Sequence, residues 1–125
     1  MTEGAKAGTQ EGTAAGPLLV ASSTNGGVRV LTVSGEIDHQ SGGTLREALG
    51  ACTTDHPRVV ADFHRVSFMD FSGINILIGA HRALTEAGNW LRLAALSAPV
   101  LRTVQIVGLD SVLDCHTTLD QALAG

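Results

Sequence analysis

"RVVADFHRVSFMDFSGINILIGAHRALTEAG", residues Arg58 to Gly88, decides the fold. Its first six residues are apolar nearly throughout, the pattern of a strand covered on both faces. From Ser72 the apolar residues take helical spacing and run to Ala87, and Gly88 stands where a helix commonly ends in a left-handed C′ residue. A buried strand that feeds straight into a helix is half of a parallel crossover, since parallel neighbours need a connection of about that length. The stretch therefore predicts parallel strands with helices packed against them.

The flanking sequence repeats this alternation. Toward the N-terminus, "SGGTLREALGAC" places Leu45, Ala48 and Leu49 at helical spacing behind Gly43 and Thr44. Before it, "LLVASS" and "VRVLTVSGEI" surround Asn25-Gly26-Gly27 and predict a hairpin with a tight turn. Toward the C-terminus, "WLRLAAL" alternates as a strand does. "SAPVLRTVQIVG" follows as a helix with Ser97 as cap, Pro99 in its first turn and a glycine after its last. A brief "SVLDC" strand and a terminal "TTLDQALAG" helix, capped by Thr117 or Thr118, complete the order β, β, α, β, α, β, α, β, α. The expected class is α/β, a mixed, mostly parallel sheet of about five strands with about four helices. A single domain is expected over residues 17–125. Residues 1–16 contain no Val, Leu, Ile or Phe and are expected to form a flexible tail.

Composition excludes several functions. Net charge is −4 with no Lys/Arg-rich run, which argues against electrostatic capture of nucleic acid or of an anionic membrane surface. Three Phe, one Trp and no Tyr offer few stacking platforms for single strands. No apolar run reaches the length of a membrane span and the N-terminus has no apolar h-region, so a cytoplasmic location is expected. Cys52 and Cys115 form no CxxC pair, and the five His are scattered without HxH or HExxH spacing, so neither a redox pair nor a metal site is expected. No GxxxxGK[ST] or GxGxxG run suggests a nucleotide cofactor.

Ser72 is the residue with more than one reading. As a helix N-cap its oxygen accepts a hydrogen bond from the Asn75 amide, worth about 1 kcal/mol. As a nucleophile it needs a base, yet the flanks are not GxSxG, and His81, nine residues on, falls on the opposite side of the same helix. As a phosphoacceptor it makes physical sense, because an exposed helix N-terminus tolerates added negative charge. A phosphate there, beside Asp70, leaves the domain folded while repelling a docked partner. On the same helix, Ile74, Leu77, Ile78 and Leu84 suit the core, and Ile76, Ala80, Ala83 and Ala87 form a second stripe that faces either a partner or another helix.

Taken together, "GEIDHQ", "VVADF", "VSFMDFSGINIL" and "LRLAALSAPVLRTVQIVGLDSVL" resemble the STAS domain, the sulfate-transporter and anti-sigma-factor-antagonist family. The likeness runs from about Gly27 to Leu123, with Asp70-Phe71-Ser72-Gly73 in place of the family's Asp-Ser/Thr-Ser-Gly, and with Pro99 and Gly108-Leu109 at the expected distances. The resemblance implies a non-enzymatic anti-sigma-factor antagonist, with a non-switching scaffold module as the alternative. Such an antagonist binds an anti-sigma factor that is also a serine kinase and so releases a sigma factor. Phosphorylation at Ser72 ends the binding, and a serine phosphatase restores it. It also implies that Asp38, Asp70, Phe71, Gly73, Ile74 and Asn75 form the partner-facing surface; for Asp38 and Asp70 a turn role is the other reading. Two departures stand out. Phe71 replaces a hydroxyl residue and is either an exposed anchor or a ring buried under the helix end, and Asn75 stands where Gly is common.

Overall fold

The computed structural model describes residues 18–55 and 58–124. The N-terminal residues expected to form a tail lie outside the described part. Gly26 and Gly27, at φ 58° and 83°, make the two-residue turn that joins β1 (Leu19–Asn25) to β2 (Val28–Ile37) as an antiparallel hairpin. Both turn positions need φ > 0, which glycine adopts without strain. β3 (Arg58–Met69), β4 (Trp90–Ala94) and β5 (Asp114–His116) then add in parallel, giving one five-stranded sheet in the order β1-β2-β3-β4-β5. This is the mixed, mostly parallel α/β architecture that the sequence predicts.

Because the parallel strands follow one another in chain order, right-handed crossovers place their helices on a single face. α1 (Gly42–Asp55), α2 (Phe71–Glu86) and α3 (Ala98–Val107) occupy it. There Leu45, Leu77, Leu84 and Val104 interleave with Leu31, Val59, Phe63 and Leu93 in the main core. α4 (Leu119–Ala124) covers the other face, where Ala122 meets Val28, Val60 and Ala94. Both faces of the central strands are thus buried, which is why the first half of β3 is apolar nearly throughout.

β3 is longer than its apolar run suggested. Two register irregularities opposite Thr32–Ser34 and Gly35–Glu36 each insert an extra β3 residue, and Gly35 sits there at φ 116°. The bulges change the spacing of inward residues from two to three, so Phe63, Val66 and Met69 are buried while His64, Arg65, Ser67 and Phe68 are exposed. Alternation is lost at these positions, and with it the strand signal. The extension carries β3 to the carboxyl end of β2, where Met69 pairs with Ile37 and the Asp70 amide donates to the Ile37 carbonyl at 3.0 Å.

Helix ends agree with the sequence in backbone and differ in side-chain roles. Gly88, at φ 83°, closes α2, with its own amide on the Thr85 carbonyl and the Asn89 amide on that of Leu84, and Gly108 at φ 76° ends α3. Ser97 occupies the N-cap of α3, but its hydroxyl donates to the Val66 carbonyl of β3 at 2.8 Å instead of capping. Thr118, not Thr117, caps α4 by accepting from the Gln121 amide at 3.1 Å. The last strand begins at Asp114 because Leu109–Ser111 wind into a 3₁₀ turn, and β4 stops at Ala94 because Ala95 turns to φ 59°. Of the second stripe on α2, Ile76 and Ala80 are buried; a Cβ on Gly42 would meet Ile76 Cδ1 at 2.8 Å, so this stripe packs on α1. Among the described residues no helix is long and apolar enough to cross a membrane.

Phe63 is fully buried whereas Phe71 is 61% exposed. Phe63→Ala is expected to lower stability by about 3–5 kcal/mol, and Phe71→Ala to leave it within about 0.5 kcal/mol of wild type. Urea unfolding of both variants checks the contrast.

Candidate functional site

The carboxyl ends of β2 and β3 place two short turns side by side. After Ile37 the chain folds around Asp38, whose Oδ1 accepts from the Gln40 and Ser41 amides at 2.9 Å each, with Ser41 Oγ 3.1 Å away. Ser41 Oγ in turn accepts from the Asp38 amide at 3.0 Å and reaches the Glu36 carbonyl at 2.8 Å. The Gly42 amide donates to the Asp38 carbonyl at 2.8 Å and begins α1. Hydrogen bonds from the Ser41 amide and hydroxyl, chiefly, hold the Asp38 carboxyl below its ordinary range. The turn role of Asp38 is thus present in full.

After Met69 the second turn is made by Asp70, the N-cap of α2. Its carboxylate accepts from the Ser72 amide at 2.8 Å, and its carbonyl accepts from the Gly73 amide at 3.1 Å. The cap expected of Ser72 therefore belongs to Asp70: the cap lies two residues earlier and the helix starts at Phe71, so Ser72 lies in its first turn and has no cap to make. Ser72 is partly exposed, and among the described residues its hydroxyl takes no hydrogen-bond partner. A free hydroxyl at the positive end of a 16-residue helix is left facing out.

The other sequence-derived residues separate into surface and support. Asp38, Ser72 and Asn75 line one recess of about 180 Å³. Phe71 stands outside it as an exposed ring at the helix tip, so burial under the helix end does not occur; Phe68, near the end of β3, is also exposed, at 46%. Gly73 and Ile74 are buried. A Cβ at Gly73 would lie 2.6 Å from Met69 Sδ and 2.9 Å from Ile37 Cγ2, so only glycine lets the helix approach the strand ends this closely. Gly73 and Ile74 therefore act from beneath and offer no side-chain surface to a partner.

His39 and Arg46 also line the recess and were missed by sequence reasoning. The signal for Arg46 was its position four residues after Gly42, one turn along the α1 face that meets α2. Cys52 and Cys115 form no disulfide with each other and lie outside this site; burial, with Asp110 and Asp114 nearby, pushes Cys115 up to about 11, which keeps it protonated at neutral pH.

Comparison with known proteins agrees with this architecture. The STAS domain family matches residues 20–122. The anti-sigma-F factor antagonist RsfB of Mycobacterium tuberculosis is 29% identical over 109 residues, which cover 86% of this chain and 88% of that protein. The anti-sigma-B factor antagonist of Bacillus subtilis is 30% identical over 84 residues, 67% of this chain and 77% of that one. The crystal structure of an anti-sigma factor antagonist from Mycobacterium paratuberculosis superposes with a TM-score of 0.81 at 30% identity, covering 86% of this chain and 92% of the other.

Two predictions concern the paired turns. Asp70→Ala removes the α2 cap and is expected to cost about 1 kcal/mol, with Asp70→Asn retaining most of it; thermal unfolding distinguishes them. For Asp38 the folded pKa is depressed, so its stabilising contribution is present above the ordinary value of 3.8 and is lost as pH falls through the lower folded value. Asp38→Asn is therefore expected to be less stable than wild type at pH 7, and the gap to close in the acid range below 3.8, as read by denaturation at a series of pH values.

Proposed function

The chain belongs to the STAS domain family, and on that premise we propose that it is a cytoplasmic anti-sigma-factor antagonist switched by phosphorylation of Ser72. Unmodified, it binds an anti-sigma factor with serine kinase activity and so frees a sigma factor. The γ-phosphoryl group of ATP then passes to Ser72 Oγ, which gives up its proton as ADP leaves, and the modified chain lets go of its partner. A serine phosphatase hydrolyses the phosphoserine and resets the cycle. The chain performs no catalysis of its own.

The observation that carries this reading is the partly exposed Ser72 hydroxyl, without a hydrogen-bond partner among the described residues, on a helix whose cap is supplied by Asp70. Modification there breaks no cap and no core contact, so the fold survives it. The added charge of about −1.5 to −2 is favoured by the helix N-terminus in the free protein and faces Asp70 and Asp38. Reversing a partner equilibrium from 1:99 to 99:1 takes about 5.5 kcal/mol. Leaving an unpaired charge in a closed interface costs about 3–5 kcal/mol, so most of the required penalty is available from that source. The ring of Phe71 supplies the kind of exposed aromatic anchor on which interfaces concentrate their energy. The similar proteins are named antagonists of anti-sigma-F and anti-sigma-B factors, which supports an anti-sigma factor as the class of partner.

Incubation with the partner kinase and ATP is expected to add one phosphate to the wild type and none to Ser72→Ala. Stoichiometric phosphorylation of Ser72→Ala would overturn the site. Ser72→Glu is expected to melt like wild type yet fail to capture the partner in a pull-down, and Phe71→Ala to weaken capture at least tenfold. Capture indifferent to Ser72→Glu identifies a constitutive scaffold instead.

A further inference from the structure

The recess beside Ser72 has one wall that its proposed role does not use. Arg46, exposed on the second turn of α1, borders both this recess and an adjoining apolar groove of about 280 Å³ walled by Leu49, Ile76 and Ala80. Two other arginines are occupied: Arg92 stacks on Trp90 at 3.9 Å and donates to the Ala122 carbonyl at 2.8 Å, and Arg29 donates to Ser22 Oγ at 2.7 Å. Arg46 has no hydrogen bond or ion pair with any described residue. Its guanidinium keeps five donors available.

Between Arg46 and Ser72 the recess lining includes Gly42 and Gly43, and a Cβ at Gly43 would meet nothing within 4 Å. At about 180 Å³ it holds several water-sized groups of roughly 30 Å³ each, enough for the three oxygens that a phosphoryl group brings. The charged and titratable groups around it are Asp38 and His39 from the β2–α1 turn, Arg46 from α1 and Asp70 ahead of α2. Oδ1 of Asp38 is taken by Gln40 and Ser41, and that of Asp70 by the Ser72 amide. One oxygen of each carboxylate is thus committed to backbone amides. Arg46 lines the recess with no salt-bridge partner among the described residues.

We propose that Arg46 is the internal receptor of the Ser72 phosphate, closing over it as a bidentate arginine–phosphate pair that spans the recess between α1 and α2. The inference rests on Ser72 as the phosphoacceptor and adds a second consequence to its modification. The guanidinium is drawn from the mouth of the apolar groove to the phosphate, so the surface changes in shape as well as charge. Arg46 is a positioning residue: it holds the modified state and takes no part in transferring the group. Lysine in its place keeps the charge and loses the planar fork.

Phosphoserine incorporated at position 72 by genetic encoding, in the full chain, tests the pair without any kinase. Its ³¹P resonance, followed against pH, is expected to give a second pKa below the value of about 6 of an unconstrained phosphoserine. Arg46→Ala is expected to raise that pKa by roughly 0.5 to 1 pH unit, Arg46→Lys to restore part of the difference, and Arg102→Ala on α3 to leave the titration unchanged. If Arg46→Ala melts early, Arg46→Gln serves in its place. Coincident titrations of wild type and the Arg46 variants, or a shift that follows His39→Asn alone, overturn the assignment. Failure of the kinase to modify Ser72 is a separate result and bears on the proposed function only.

Discussion

The carboxylate of Asp70 accepting the Ser72 amide at 2.8 Å is the contact on which the rest of the site depends. It settles where α2 starts, and because the Asp70 amide is itself held by the Ile37 carbonyl at 3.0 Å, it also fixes that start against the sheet. A helix N-terminus must have its free amides satisfied by something. Here an aspartate meets that requirement two residues before the serine, so the serine hydroxyl is left without structural duty. Had Ser72 been the cap, its modification would have removed a helix-start interaction together with any partner.

The same division between support and surface runs through the site. Gly73 and Ile74 lie under the helix tip, packed on Met69, Ile37 and the core, while Phe71 projects at 61% exposure. The Asp38 turn is closed by its own hydrogen bonds to Gln40 and Ser41 and stands next to the tip because Ile37 pairs with Met69. Stability resides in the sheet and its interleaved helices, and the chemistry resides on a rim that the core does not need. A charge added to such a rim would lie apart from Phe63, Leu77 and Val104, which are fully buried.

The glycines made much of the fold legible. Gly26, Gly27, Gly88 and Gly108 all adopt the positive φ that their turn and cap positions require, and they bracket the hairpin and two helices where the sequence places them. The second half of β3 was hidden because its bulges replace alternation with a spacing of three at Phe63, Val66 and Met69, which resembles neither strand nor helix. Ser72 is not the cap of α2, and Ser97, though it stands at the N-cap of α3, makes no side-chain cap bond, for a common reason: a hydroxyl at a helix start has several partners in reach, and tertiary neighbours choose among them. Val66 takes the Ser97 hydroxyl, and Asp70 displaces Ser72. Arg46 and His39 escaped notice because nothing local in "DHQSGGTLREAL" shows that α1 packs beside the α2 tip; that follows from the parallel pairing of β2 with β3.

Amide spectra of the unmodified and Ser72-phosphorylated chain, compared with and without the partner kinase's binding domain, test the central claim most directly. Shifts are expected to be confined to the turn from Asp38 to Ser41, the first turns of α1 and the segment from Asp70 to Asn75, with core amides in β3 and the middle of α2 unmoved while the partner's broadening of the signals disappears. Phosphorylation that displaces core amides such as those of Phe63 and Leu77, or that leaves partner binding in place, contradicts it.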